Sequence, residues 1–223
     1  GQVLGRLLRA VIIIYAARLL GAEQYGLFSY AISIAATFTI FSDLGLNYLL
    51  FVNMARRDET EESYFPTLIF LRFGLVAAII FLTIAIGPLI TKFPEAKILI
   101  PLVALLAAFD DVRAFLFSFA RVENRLDKEA FGNIITSALI VVFSLIGLSY
   151  SPTSFMLTLT YLVGSILGTF GVFWLVRKDL ARIFRPLKFN FTLAKNILSV
   201  AVPFGLANTM WMLMTSTDVL IIG

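Results

Sequence analysis

"RLLGAEQYGLFSYAISIAATFTIFSDLGLNYLL", from Arg18 to Leu50, is apolar enough over most of its length to lie in lipid, yet it holds an aspartate, Asp43, well inside. An ionised carboxylate in hydrocarbon costs roughly 2.5–3.5 kcal/mol on insertion scales, so such a residue is paired, water-facing or functional. The surrounding chain decides among these. Its 223 residues are 60% hydrophobic and only 14% charged, with 22 Phe and a mean hydropathy of +0.94. Soluble domains sit near about half apolar and a quarter charged. The composition therefore predicts an integral membrane protein.

A helix needs about 20 mostly apolar residues to cross a bilayer. Seven windows meet this, at 3–20, 26–52, 66–91, 98–119, 131–149, 153–176 and 197–222. Their length and their lack of alternation predict helices rather than barrel strands, and so an all-α polytopic bundle. The chain opens on Gly and ends at Gly223 in an apolar run, with no signal-peptide cleavage pattern; this predicts a piece of a longer chain.

Basic residues predict the orientation. With the N-terminus inside, thirteen of the 18 Lys and Arg fall on cytoplasmic segments: Arg6 and Arg9, Arg56 and Arg57, Arg121 to Lys128, and Arg177 to Lys195. The outer side holds Arg18, Lys92 and Lys97. The asymmetry favours N-inside. The segment 177–196, "RKDLARIFRPLKFNFTLAKN", mixes bases with Leu, Ile and Phe. It reads equally as an inner-leaflet segment in contact with membrane lipids and as an ordinary positive-inside loop. The net charge of +4 is explained by topology, so no nucleic-acid partner is expected.

Several chemistries are excluded or unsupported. With no Cys and no His there is no zinc site, disulfide, thiol nucleophile or imidazole base. No phosphate-cradling glycine loop, zincin motif or nucleophile elbow is present, so no cofactor, metal or catalytic residue is assigned. What remains is a set of charges in or beside lipid. Arg6 and Arg9 share a face of the first span, and Arg18 points about half a turn away. Asp43 and Asn47 are one turn apart, and Ala36 and Thr39 extend a small, polar stripe suited to close packing or to a water-filled cavity. Asp43 either bonds a neighbouring helix and locks the bundle, or serves function by lining a transport path or pairing with one of the arginines. Arg72 lies inside the third span; Asp110 and Arg113 in the fourth are spaced to pair within one helix. Pro203 invites a bend in the seventh span, which also carries Asp218.

These residues carry a resemblance. "AARLLGAEQYGLFSYAISI" (16–34) and "FSDLGLNYLLFVNMAR" (41–56) resemble the opening of the polysaccharide exporters, the O-antigen and exopolysaccharide flippases of the multidrug/oligosaccharidyl-lipid/polysaccharide superfamily. "FSFARVENRLDKEAFGNII" (117–135) is similar to the family's segment between helices four and five, and residues 197–223, from "ILSVAVPFGLANTMWML" to "TDVLIIG", look like helix seven. "VNMARR" at 52–57 departs from relatives that carry an arginine before the A-R.

The resemblance implies a two-lobe transporter of 12 to 14 helices. Residues 1–176 would form the first six-helix lobe, 177–196 a basic cytoplasmic linker, and 197–223 the first helix of the second lobe. The ending "VLIIG" (219–223) echoes "ARLLG" (17–21), as a duplicated lobe would. The implied cargo is a polyprenyl-pyrophosphate-linked oligosaccharide, moved from the inner to the outer leaflet of a prokaryotic plasma membrane. Arg6, Arg9, Arg18 and Arg72 are the candidates for its head group. Asp43, with Asn47 beside it, would be a counter-charge releasing an arginine, or a site for a coupling cation. Arg18 and Asp218 would close an outer gate, and Pro203 would let helix seven bend. The rivals are a cation-coupled multidrug exporter and an integral-membrane polymerase or glycosyltransferase. The enzyme is disfavoured because the longest loop holds only Asp179 as an acid.

Overall fold

The computed structural model describes residues 2–47, 49–50, 52, 64–122, 125–183 and 189–222. They form six helical elements: α1 (Gln2–Asp43), α2 (Tyr64–Ile90), α3 (Pro94–Val122), α4 (Leu126–Tyr150), α5 (Ser154–Ile183) and α6 (Phe191–Ile222). Among the described residues a helical segment falls in each of the seven apolar windows, because α1 is two arms broken at Gly21. There φ is 76° and ψ 173°, a conformation open essentially only to glycine.

Side-chain contacts show that the arms run antiparallel. Gly5 and Arg9 of the first arm meet Asn133 and Ser137 of α4, while Ala16, further on, packs with Leu148 and Leu157. Phe28 of the second arm joins that same cluster, and Ser42 lies beside Arg72 and Asp111 near the other end. Gln24 ties the start of the second arm to α5, where its Oε1 accepts from Ser154 N and Oγ at 3.1 and 2.8 Å.

Among the described residues, three helices are long and apolar enough to cross a membrane by themselves: Pro66–Ile90, Leu126–Tyr150 and Ser154–Arg177. Phe73, Phe81, Leu89, Phe170 and Phe173 are exposed on these spans. A helix apolar on its exposed face as well as its buried one is placed for hydrocarbon. The chain is an all-α membrane protein.

The most extensive helix pair, α4 with α5, rests on small residues. A Cβ on Gly164 would lie 2.7 Å from Ile140 Cα, and one on Gly168 2.5 Å from the Thr136 methyl. This is the close backbone approach that a G-x-x-x-G stripe permits. At the end of the second arm Gly45 (φ 84°) follows Leu44 (φ 41°) and turns the chain. A Cβ there would collide with Ala201 O, so the glycine of "DLGLN" seats α6. Around it Leu46, Leu50, Leu68, Phe119, Val176 and Ile197 form a core joining α2, α3, α5 and α6.

Of the segment 177–196, residues 177–183 continue α5 and 191–196 open α6, while 184–188 lie outside the described residues. Arg56 and Arg57, with most of "VNMARR", lie outside them too.

Candidate functional site

The sequence "FDDVR" (109–113) in α3 organises two polar constellations. Adjacent helical residues point about 100° apart, so Asp110 and Asp111 serve different neighbours.

Asp111 turns toward Arg72 of α2. Arg72 Nη2 donates to Asp111 Oδ1 at 2.7 Å, and Nη1 donates to Asp43 Oδ1 at 2.7 Å and to Ser42 O at 2.8 Å. Ser42 Oγ shares its proton between Thr39 O and Asp111 Oδ1, at 2.8 and 3.1 Å. The Arg72 side chain is 2% exposed, and its guanidinium lies 5.6 Å from the Phe115 ring centroid. Two carboxyl groups thus face one guanidinium. Among the described residues, Arg72 Nε and Asp111 Oδ2 have no hydrogen-bond partner.

The puzzle of Asp43 is thereby answered: it is held by a neighbouring span, and it is paired. Its Oδ1 also accepts from Asn47 N at 3.1 Å, and Asn47 Oδ1 accepts from Ser118 Oγ at 3.3 Å. The partner Asp111 was not singled out from the sequence. The signal was a lone arginine deep in one span facing a surplus acid deep in another, since neither is tolerable alone in hydrocarbon.

Asp110 turns the other way. Arg113 Nη2 donates to Asp110 Oδ1 at 2.5 Å, the predicted pairing within one helix. Arg113 Nη1 donates to Ser165 Oγ at 3.0 Å, and Ser165 Oγ donates to Asp110 Oδ1 at 2.7 Å. Beside this pair opens a cavity of about 290 Å³ between the first arm of α1, α3 and α4. Its charged lining is Arg6, Arg9, Arg113, Arg121, Asp110 and Glu129, with Asn133 and Ser137 adding polar groups. Arg121 Nε donates to Glu129 Oε2 at 2.8 Å, and Arg9 Nε to Ser137 Oγ at 3.3 Å. Among the described residues neither Arg6 nor Arg9 has a carboxylate within ion-pair distance. Four guanidinium groups against two carboxylates give the cavity an excess positive charge. A second cavity, of about 410 Å³, runs along the Ala36–Thr39 stripe past Asp111 and Tyr161. It shares Asp110 and Ala114 with the first, so the two meet on α3.

The arginines named from the sequence thus separate into three places. Arg6 and Arg9 face the basic cavity together, joined by Arg113 and Arg121. Arg72 is buried in the ion cluster with Asp43 and lines neither cavity. Arg18 is exposed, nine residues along the arm from Arg9, and lines neither. Pro203 lies exposed inside α6, whose helix continues through it. The side chain of Asp218 lies outside the described residues.

The family model of polysaccharide biosynthesis proteins matches residues 1–223, the whole chain. No curated protein matches, and no solved structure does.

Proposed function

The chain belongs to the polysaccharide biosynthesis protein family, a family of membrane exporters, and from that premise we propose a flippase for polyprenyl-pyrophosphate-linked oligosaccharide. The observation that carries this is the basic cavity, with Arg6 and Arg9 unclaimed by carboxylates. A pyrophosphate cannot enter hydrocarbon unneutralised, and guanidinium groups take phosphate oxygens in a bidentate fork. Arg113 and Arg121, already braced by Asp110 and Glu129, would set the cavity's field without closing on the ligand.

In this proposal residues 1–176 make one lobe, the helix at 197–222 opens a second, and rocking of the lobes gives alternating access. The N-terminal end faces the cytoplasm, which puts Arg6 and Arg9 on the side where the lipid-linked sugar is made. Pro203 gives helix seven a bending point, and Arg18 with Asp218 closes the outer side.

A second reading, a cation-coupled exporter of another cargo, is favoured by the second carboxyl group that the Asp43–Arg72–Asp111 cluster sets against one guanidinium. The two readings part in one experiment. The gene is deleted in its host, and the leaflet holding the lipid-linked oligosaccharide is determined. A flippase leaves it on the cytoplasmic side. Complementation with wild type restores it, while Arg9→Ala slows restoration about tenfold, the cost of one charge-assisted hydrogen bond. An unchanged lipid distribution with new drug sensitivity would replace the flippase by the exporter.

A further inference from the structure

We propose that the groove between α2, α3 and α5 seats one acyl chain of an anionic phospholipid, whose phosphate is held by Arg177. The groove has a volume of about 290 Å³ and exposes no polar surface. Ile69 and Phe73 of α2, Phe109, Val112 and Phe119 of α3, and Phe173 of α5 are among its walls. The one polar side chain there, Thr169, has its hydroxyl turned inward, donating to Phe109 O.

Three observations select the occupant. The first is length. From Phe109 to Phe119 is ten residues, about 15 Å at the helical rise, which is half of a hydrocarbon core of about 30 Å and so one leaflet's depth. The second is position. Arg177 is the last residue of the apolar span Ser154–Arg177, one turn beyond Phe173, and Phe170, Phe173 and Arg177 share one stripe of α5. The third is charge. The Arg177 guanidinium lies 4.8 Å from the ring centroid of exposed Trp174, an interfacial pairing, and among the described residues it has no carboxylate within ion-pair distance.

The occupant is a resident lipid and not the tail of a carried one. The groove opens on the 109–112–116–119 face of α3, and the basic cavity on its 110–113–117–121 face. The helix lies between them, and Arg113 of the cavity reaches the groove side only at the inward-turned Thr169 hydroxyl, to which its Nη1 donates at 3.4 Å, so the inference does not rest on the flippase proposal.

The chain has two tryptophans, so Trp211→Phe leaves Trp174 as sole reporter. The full chain is reconstituted in phosphatidylcholine vesicles containing, as a minor component, either brominated phosphatidylglycerol or brominated phosphatidylcholine. Quenching of Trp174 should show the anionic lipid enriched about fivefold at this site, the effect of one basic residue at a membrane surface. Arg177→Gln should make the two lipids equal, and Arg177→Lys should keep most of the preference. Val112→Phe, which fills the groove without touching Arg177, should also abolish the enrichment. Equal quenching in the wild-type background overturns the proposal. So does a preference that survives Val112→Phe, which would leave headgroup attraction alone. Absence of quenching by either lipid would mean that lipid does not reach this face, and would overturn it too.

Discussion

Asp43 and Asp111 share one guanidinium, and their exposures differ enough to rank the consequences of losing each bond. Removing Arg72 from this buried cluster costs about 3–5 kcal/mol, because two carboxyl groups are left without a counter-charge, whereas removing either acid leaves the other paired. Arg72 is the central member, so Arg72→Met is expected to cost the most, lowering the detergent-solubilised protein's unfolding temperature sharply. Arg72→Lys should restore part of it, since an ammonium keeps the charge but cannot fork to two carboxylates. Asp111, at 17% side-chain exposure, should cost more on conversion to Asn than Asp43, at 31%, where water can take over. A reversed order in the melting series would mean that Asp43, not Asp111, anchors the cluster.

Helices here are shaped by a few glycines, and the reasons differ from one to the next. At Gly21 an added Cβ would meet no atom within 4 Å, so the requirement for glycine is wholly conformational. Gly21→Ala is expected to destabilise by about 1–3 kcal/mol. Gly26 has equally open surroundings but an ordinary helical backbone, and Gly26→Ala should be neutral or stabilising by about 0.5–1 kcal/mol. Opposite signs in a thermal melt check the pair. At Gly164 the constraint is contact with the Ile140 backbone, which side-chain repacking cannot relieve. Gly164→Ala should therefore cost about 1–3 kcal/mol and should not be rescued by Ile140→Ala. Gly171, also helical with open space around it, should respond to alanine as Gly26 does.

At the scale of the whole molecule, orientation is the property that contacts inside one chain do not contain. The absence of cysteine makes it directly measurable. Single cysteines at Asp127, in the first turn of α4, and at Tyr150, at its far end, occupy exposed positions at opposite ends of one span. With the N-terminus inside, a membrane-impermeant maleimide should label Tyr150→Cys in intact cells and Asp127→Cys only after permeabilisation. The reverse pattern would invert the topology and put Arg6 and Arg9 on the outer side, against the flippase proposal.

The order of apolar windows was enough to determine that the chain is helical and built for a membrane, because the cost of unsatisfied backbone in lipid leaves a long apolar run no other form. It also determined the Asp110–Arg113 pair, whose two members are three residues apart on one helix and meet without any tertiary contact. What the tertiary structure alone decided is which distant charges meet. Arg72 lies 29 residues from Asp43 and 39 from Asp111, and only the packing of three spans makes it their shared partner. The same packing left Arg6 and Arg9 facing Arg113 and Arg121 across a cavity, and sent Arg18 elsewhere. Helical periodicity says which residues share a face; which face meets which neighbour is set by close approach at Gly45, Gly164 and Gly168, where the missing side chains let one backbone reach another.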